Sequence, residues 1–292
     1  MNDLLALRER WELGTLPRPD FSRATWNHHE NLFDYPEFLK NTNVRAIEIT
    51  EEGVKMSLRS PDIQLWCTPQ DKRHVTIVNL NCREYESQEI EMFLSLAKPT
   101  DTLFDIGANV GLYSIAFAKR FPESKVIAFE PIPAIEKELM RNLILNNVAN
   151  VSVANFGLSD HCSEIPFYFD ATATGATSGA PLGAEFEPTT TIMAPVKTLD
   201  SLTIQPDIIK CDVEGAELLV FKGGAKLFAE HRPIIQCEML RKWSKRFNYH
   251  PNDLIAYLKQ FGYRCYTLRE NALQEFMIMT DETIETNFFF IP

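Results

Sequence analysis

Acidic side chains stand at the ends of predicted strands, where they could bind a ligand. The segment 105–111 is Asp-Ile-Gly-Ala-Asn-Val-Gly, between an apolar strand and a helical pattern, and Glu130 ends the next strand. In nucleotide-binding sheets, glycines let the backbone approach the ligand and an acid after the second strand binds the ribose hydroxyls. We therefore predict a nucleotide site that contains Asp105, Gly107, Asn109, Gly111 and Glu130.

The composition of this turn indicates a cationic ligand. A dinucleotide fingerprint carries glycines as Gly-x-Gly-x-x-Gly, which line a pyrophosphate at a helix N-terminus. Here Asn109 replaces the middle glycine, and the turn opens with the Asp105 carboxylate, which would repel a pyrophosphate. S-adenosylmethionine carries an ammonium and a sulfonium and has no phosphate, so the charge pattern favours it over NAD. An NAD-dependent oxidoreductase is the alternative enzyme.

A second group of carboxylates follows two later strands. Asp212 ends the strand 207–212, Glu214 comes two residues later, and Glu238 ends the strand 233–238. Open α/β sheets bind ligands at the carboxyl ends of their strands, so we assign these acids as catalytic candidates that orient or deprotonate an acceptor hydroxyl. A divalent metal could acidify the hydroxyl instead, but no motif supports one and we assign no metal ligands. Glu214 is equally suited to stabilising the N-terminus of the following helix.

The elements that must position these residues follow two patterns. Residues 44–80 alternate between apolar and polar side chains, which predicts an antiparallel meander whose last strand is 75–80. From residue 101, short apolar runs alternate with amphipathic helical patterns, which is typical of a parallel α/β sheet. The predicted strands of this sheet are 103–106, 126–130, 151–154, 207–212 and 233–238, with late strands near 263–268 and 274–279.

Two segments lack a clear period. Residues 1–40 mix Trp, Phe, Tyr and Pro with polar residues, and we predict an N-terminal arm of short helices that docks through its aromatic side chains. The connection between the third and fourth strands includes a small, polar run at 171–184. Long loops inside compact domains are commonly functional. We therefore predict that this run and the arm cover the methyl acceptor.

Four segments, at 105–111, 128–131, 198–200 and 210–217, resemble the FkbM-type family of class I S-adenosylmethionine-dependent methyltransferases. The run Asp-Val-Glu-Gly-Ala-Glu at 212–217 is the most specific of them. The resemblance implies an α/β, Rossmann-like class I methyltransferase fold with a seven-stranded, mostly parallel sheet. We assign this domain to residues 84–292 and the preceding N-terminal arm and antiparallel β meander to residues 1–83.

The resemblance also implies a cofactor and a reaction. S-adenosylmethionine is the expected cofactor, and O-methylation of a hydroxyl on a sugar, glycan or secondary metabolite is the expected reaction. By matching positions, Glu130 contacts the ribose and the glycine-containing turn surrounds the methionine moiety. The residues expected to border the adenine are Asn155, Phe156 and Gly157.

Composition limits the partners. The 29 Lys and Arg residues against 40 Asp and Glu give a formal net charge of −11, which argues against binding to nucleic acid or to an anionic membrane. The six cysteines are scattered singly, which favours a reducing, cytoplasmic location. We predict no membrane span and no secretory signal, and the aromatic arm is suited to a homo-oligomer. A non-catalytic nucleotide- or glycan-binding module is the alternative outside the enzymes.

Overall fold

The computed structural model describes residues 3–69, 71–83, 85–170, 172–183 and 189–292. The first helices and strands are α1 (Asp3–Glu12), α2 (Arg18–His29), α3 (Tyr35–Leu39), β1 (Val44–Thr50), β2 (Gly53–Leu58), β3 (Gln64–Trp66), α4 (Val75–Asn81) and α5 (Ser87–Leu96). There follow β4 (Thr102–Ile106), α6 (Leu112–Arg120), β5 (Lys125–Phe129), α7 (Pro133–Leu145), β6 (Val151–Ala154), β7 (Gly157–Leu158), β8 (Ser163–Phe169) and β9 (Thr190–Lys197). The last are β10 (Ile208–Cys211), α8 (Glu217–Lys222), α9 (Ala225–Glu230), β11 (Ile234–Glu238), α10 (Arg241–Ser244), α11 (Pro251–Lys259), β12 (Arg264–Arg269), β13 (Ala272–Glu275) and β14 (Asn287–Ile291).

A central sheet of eight strands carries the functional residues. Its order is β13-β12-β14-β11-β10-β4-β5-β6, and the five strands from β11 to β6 are parallel. The predicted α/β architecture with a mostly parallel sheet is confirmed. The predicted count of seven strands is wrong, because the sheet contains eight strands among the described residues and the segment 287–291 was not predicted as one of them. The late strand predicted near 274–279 corresponds to β13, which pairs with β12 in an antiparallel hairpin at the edge of the sheet. The apolar C-terminal segment becomes β14, which lies antiparallel between β11 and β12.

Alternation along the buried strands divides the core between the two faces of the sheet. Leu103 of β4 and Ile208 of β10 pack on the side of α5, α6 and α7, whereas Phe104 and Ile209 pack on the side of α8, α9 and α11. Neighbouring side chains in a strand point to opposite faces, so a strand apolar at every position is covered on both. The sheet therefore forms the middle layer of a three-layer structure. The ends of its strands are left uncovered by these helices.

The N-terminal meander of β1, β2 and β3 is antiparallel, as predicted. Its side chains Val44, Met56 and Leu65 belong to the same core cluster as α6 and the central sheet. The strand predicted at 75–80 is instead the helix α4, which is a correction. The buried residues Thr76, Asn79 and Leu80 recur at helical spacing. The His74 side chain also caps the helix by accepting a hydrogen bond from the Thr76 amide.

The arm forms short helices, but its aromatic side chains do not dock on the body. None of α1, α2 and α3 has a buried residue. Trp11 stacks on Phe21 with ring centroids 5.0 Å apart, and Trp26 stacks on Phe33 at 5.6 Å. Phe33 remains 68% exposed. The expected docking through aromatics was therefore wrong, since these rings pack on each other.

The connection between β6 and β10 contains a second sheet that the sequence analysis missed. β8 and β9 pair antiparallel, and β7 pairs with β9, in the order β7-β9-β8. The predicted cover at 171–184 lies between β8 and β9, and its first and last residues fall outside the described residues. Within the described chain, no helix is both long enough and apolar enough to cross a membrane.

Candidate active site

A cavity of about 230 Å³ opens at the carboxyl ends of β4, β10 and β11. The turns after these strands line the cavity, together with residues of α4 and of the segments on either side of it. The 171–184 run also borders the cavity, through Gly175 and Thr177. The charged and hydrogen-bonding residues that line it are Arg73, His74, Tyr85, Glu86, Asp105, Asn109, Tyr113, Glu130, Thr177, Lys210, Asp212, Glu214 and Glu238.

Strand register brings the acidic residues of three strands together. Lys210 of β10 pairs with Asp105 of β4 and with Gln236 of β11. Residues two positions apart lie on the same side of a strand. Asp212 and Glu238, two positions beyond Lys210 and Gln236, therefore emerge side by side at the end of the sheet. One cavity thus contains acids from both predicted groups.

Asp105 is enclosed at the bottom of the cavity. It is 2% exposed, and the Ser114 hydroxyl donates a hydrogen bond of 2.6 Å to its carboxylate. Burial raises its pKa to about 6, although the hydrogen bond from Ser114 and the charge of Lys210 oppose this shift. A buried carboxylate with this pKa gains from a cationic ligand, because a nearby positive charge stabilises its ionised form.

Gly107 holds the turn 105–111, which we call the predicted cofactor turn, against the end of β10. Its φ is +80°, and a Cβ at this position would collide with the backbone carbonyl of Asp212. Only glycine combines this conformation with such a close approach of two backbones. Gly107 therefore fixes the distance between the predicted cofactor turn and the carboxylates after β10.

The Glu130 carboxylate accepts hydrogen bonds from two backbone amides, one of them in the turn 105–111. The Asn109 amide donates to one of its oxygens at 3.1 Å, and the Ile132 amide donates to the other at 3.0 Å. Burial raises the pKa of Glu130 to about 7 against the effect of these two amides. Its position after β5, on the cavity wall, suits an acceptor for ligand hydroxyl groups.

The remaining cofactor candidates lie away from the cavity wall. Gly111, with φ +94°, begins α6, and a Cβ there would lie 2.5 Å from Leu139 of α7, so it allows these helices to approach. The Asn155 side chain donates to Glu136 at 3.1 Å. Phe156 packs edge-on against Phe129 at 5.6 Å, below the Lys197 ammonium. Gly157 begins β7 and is packed among Phe167, Val196 and Pro131. The role of Asn155, Phe156 and Gly157 beside an adenine stays a prediction.

The three catalytic candidates form one cluster. Carboxylate oxygens of Asp212, Glu214 and Glu238 all lie within 4.8 Å of one another. The Lys210 ammonium contacts the Asp212 carboxylate at 3.0 Å. Burial, followed by the charge of Asp212, raises the pKa of both Glu214 and Glu238 well above the usual range for a glutamate. The cluster therefore attracts protons or other cations strongly.

Glu217 is the acid of this region with a structural role. It accepts hydrogen bonds from the Val213 amide at 3.1 Å and the Gly215 amide at 2.9 Å, and from the Tyr249 hydroxyl at 3.0 Å. These contacts hold the turn between β10 and α8. Among the described residues, the hydrogen bonds from the amides of the turn before α8 are accepted by the Glu217 carboxylate and not by that of Glu214.

Several residues that line the cavity were not predicted as site residues, and Tyr113, Glu86 and His74 are three of them. Tyr113 is buried and accepts a hydrogen bond of 2.7 Å from the Gln236 side chain. Glu86 accepts one of 3.0 Å from Asn287, which is 201 positions away in sequence. His74 is 2% exposed, and its Nε2 is buried without a hydrogen-bond partner among the described residues. No local pattern marks these positions, because distant segments bring them to the cavity.

A family model and several relatives are similar to this chain. The Methyltransferase FkbM domain model matches residues 105–265. Methyltransferase sdnD of Sordaria araneosa is 27% identical in an alignment of 173 positions that covers 48% of this chain and 66% of that protein. Hexuronic acid methyltransferase AglP of Haloferax volcanii is 29% identical over 139 residues, 47% of this chain and 56% of that protein.

A solved structure is also similar. The crystal structure of Methyltransferase FkbM from Methylobacillus flagellatus aligns with a TM-score of 0.45 and 17% identity, over 74% of this chain and 52% of that one. The chain spans less than two thirds of the length of each of the two relatives named above. The domain match covers more than half of the 292 residues and contains the cofactor turn and both later acidic strand ends. This chain belongs to the FkbM methyltransferase family.

Proposed function

We propose that this chain is an S-adenosylmethionine-dependent O-methyltransferase that acts on a hydroxyl of a sugar, a glycan or a secondary metabolite. The observation that carries the proposal is the continuous cavity that joins two groups of carboxylates. Asp105 and Glu130 surround the cofactor turn, and Asp212, Glu214 and Glu238 cluster beyond it. The relative AglP, which is a hexuronic acid methyltransferase, supports a sugar acceptor.

The residues around the turn fit the proposed cofactor. The cavity wall there carries Asp105 and Glu130, whose charges suit an ammonium, a sulfonium and ribose hydroxyls. Asn109 has a φ of +48° and occupies the place of a dinucleotide-site glycine. S-adenosylmethionine, when bound, supplies an electrophilic methyl group on its sulfonium. The acids of the turn would orient it, because their carboxylates lie at fixed positions in hydrogen-bonded, buried surroundings.

The cluster at the other end suits an acceptor hydroxyl. Holding the acceptor oxygen in line with the methyl group can lower the activation free energy by about 7–11 kcal/mol, because the translational and rotational freedom is already lost on binding. A carboxylate in hydrogen-bond reach of the hydroxyl can add about 10²- to 10⁴-fold as a general base. Asp212, next to Lys210, and Glu238 after β11 are the residues we place at the acceptor.

Calorimetric titration of the full chain with S-adenosylhomocysteine tests the cofactor. We expect a single binding site, and we expect Glu130→Gln to weaken binding by about 10- to 100-fold through loss of a charged acceptor of ribose hydrogen bonds. Glu123→Gln is the matched control, since Glu123 is an exposed glutamate just before the other end of β5. Binding of NAD in place of S-adenosylhomocysteine by the wild-type chain would overturn the proposal.

The acceptor class is tested by turnover. The chain is incubated with S-adenosylmethionine and a panel of uronic acids, neutral sugars and hydroxylated metabolites, and the release of S-adenosylhomocysteine is measured. The proposal expects turnover with a hydroxyl compound and its loss in Asp212→Asn. Equal turnover by wild type and Asp212→Asn would remove Asp212 from the acceptor site. Methylation that persists on an amine analogue lacking the hydroxyl would contradict O-specificity.

A further inference from the structure

The cluster of Asp212, Glu214 and Glu238 carries more negative charge than the protein around it neutralises. Glu86 and Glu217 add two further carboxylates that interact with it. Among the described residues, Lys210 and Arg246 are cations that interact with Glu214, and Lys210 forms an ion pair with Asp212 at 3.0 Å. Acidic groups therefore predominate among the described residues around the cluster.

Glu214 gives independent evidence that this cluster is suited to a cation. Its side chain is enclosed, and its Oε2 has no hydrogen-bond partner among the described residues. A buried carboxylate oxygen that has no hydrogen-bond partner loses its interaction with water and gains nothing in return, which is unfavourable. This atom borders the cavity beside the Asp212 and Glu238 carboxylates. A cation between the three would satisfy it.

The backbone places Glu214 in this position at a cost. Its φ is +52°, in the left-handed region that residues other than glycine rarely adopt. The next residue, Gly215, lies so close to Trp243 that a Cβ would be 2.6 Å from its carbonyl oxygen. The Ser178 hydroxyl donates a hydrogen bond of 3.1 Å to the Glu214 carbonyl. The turn is thus clamped on two sides and presents the Glu214 carboxylate to the cavity.

The spacing of the oxygens fits a hard divalent cation. Ca²⁺ binds oxygens at about 2.3–2.6 Å, so ligands on opposite sides of the ion lie about 5 Å apart, and Mg²⁺ at about 2.1 Å brings them to about 4.2 Å. The three carboxylate oxygens all lie within 4.8 Å of one another, which is close enough for them to be ligands of one such ion. Carboxylates are the ligands that such ions prefer, whereas the softer metals prefer imidazole or thiolate.

We propose that Asp212, Glu214 and Glu238 bind one divalent cation of the Mg²⁺, Mn²⁺ or Ca²⁺ type at the acceptor end of the cavity. Asp212 and Glu238 come from neighbouring parallel strands, and Glu214 closes the site from the turn. The binding site stands on these residues alone. Its role, to fix the acceptor hydroxyl and lower its pKa, rests on the proposed function.

Titration with Mn²⁺ tests the site without cofactor or acceptor. The full chain is stripped with a chelator and desalted, and bound Mn²⁺ is measured by electron paramagnetic resonance. We expect one Mn²⁺ per chain, displaced by Mg²⁺ or Ca²⁺. Affinity should fall as pH is lowered, because the ligands must lose their protons. Glu214→Gln and Glu238→Gln should each weaken binding by at least about 10-fold, as loss of even a supporting group does at metal sites.

A matched pair of variants separates this proposal from the proposed function. Glu130→Gln changes a carboxylate of the same cavity outside the cluster, so it should keep Mn²⁺ affinity and lose affinity for S-adenosylhomocysteine. Glu214→Gln should do the reverse, and its retained cofactor binding shows that it folds. If Glu214→Gln does not fold, Glu238→Asp, which keeps the charge but shortens the ligand, should still lower the affinity.

The outcomes are distinct. A wild-type chain that binds S-adenosylhomocysteine but no Mn²⁺ overturns the metal site and leaves the function standing. A chain that binds Mn²⁺ but no S-adenosylhomocysteine overturns the proposed function and leaves the metal site standing. Mn²⁺ binding that is equal in wild type, Glu214→Gln and Glu238→Gln places the ion elsewhere and also overturns the proposal.

Discussion

Asp105 and Glu130 are buried acids whose ionisation opposes folding. Burial raises the pKa of Asp105 from 3.8 to about 6 and that of Glu130 from 4.5 to about 7. The folded chain therefore binds protons at these sites more tightly than the unfolded chain does. The contribution of these two groups to the free energy of unfolding is therefore greatest below their unfolded-state pKa values. It falls as pH rises towards their folded-state pKa values, between about pH 4 and pH 7.

Replacing Glu130 should remove its part of this pH dependence. We expect Glu130→Gln to gain about 2 kcal/mol of unfolding free energy relative to wild type between about pH 5 and about pH 8, because the amide does not ionise. Urea unfolding at the two pH values measures the difference. Glu123→Gln, at an exposed position, should show a difference from wild type that does not change with pH. A Glu130→Gln difference equally independent of pH would contradict the burial argument.

At this scale the sequence predicts acids that follow strands and misses residues placed by distant contacts. Asp105, Glu130, Asp212 and Glu238 were found because each ends a recognisable apolar run, and parallel strands end at one edge. His74 was hidden inside a pattern taken for a strand. Glu86 accepts a hydrogen bond from Asn287 of β14, an element that no local signal places beside it.

The elements that form the cavity are joined by side chains of α7. Asn142 is fully buried, and its Oδ1 accepts a hydrogen bond of 2.9 Å from the Trp66 amide of β3. Its Nδ2 donates one of 2.9 Å to the carbonyl of Val110, in the cofactor turn. Asn146, one helical turn later, exchanges hydrogen bonds with the backbone of Gln64. These asparagine side chains thus provide hydrogen bonds to the backbone groups along the edge of β3.

Truncating Asn142 should affect both stability and cofactor binding. Asn142→Ala leaves a buried amide and a buried carbonyl without partners, which we expect to cost about 2–4 kcal/mol of unfolding free energy. It also releases Val110 on the cavity wall, so S-adenosylhomocysteine should bind more weakly. Met140→Ala, on the exposed side of the same helix, should change stability by less than about 1 kcal/mol. Denaturant unfolding and calorimetry measure the two effects, and a near-neutral Asn142→Ala would show that β3 is held by other contacts.

Sequence patterns identify these elements well where one period dominates. The alternating strands and helices from β4 to β11 follow the prediction because both faces of the sheet are buried. The segment 75–80 was mistaken for a strand because Val75, Ile77 and their neighbours are β-branched, a preference that tertiary packing overrides. The sheet of β7, β8 and β9 was missed because β8 and β9 are half-buried and joined through a run of small residues.

The whole molecule divides into a body with a shared core and an arm that contributes no core. The meander and the central sheet pack in one cluster, from Val44 and Leu58 to Phe117 and Ile208. Leu39, at the end of α3, is the point where the arm packs against this cluster. No described residue of the arm lines the cavity. Folding and cofactor binding should therefore depend on the body.

Removal of residues 1–33 tests this division. The deletion takes away α1, α2 and their exposed stacked rings but keeps Leu39 and β1. Because no residue of α1 or α2 is buried, we expect the melting temperature to change by less than about 4 °C, equivalent to about 1 kcal/mol in a domain of this size. S-adenosylhomocysteine should bind with wild-type affinity. Removal of residues 1–58 is the contrasting variant, since it also takes away Val44, Met56 and Leu58 from the core.

The acceptor then shows whether the arm has a role beyond the body. If the arm covers the acceptor, as the sequence analysis predicts, the deletion of 1–33 should raise the KM for the acceptor and leave the affinity for S-adenosylhomocysteine unchanged. An unchanged acceptor KM would restrict the cover to the 171–184 run, whose Gly175 and Thr177 border the cavity. A large fall in melting temperature would instead show that the arm stabilises the body, against the exposure of its aromatic side chains.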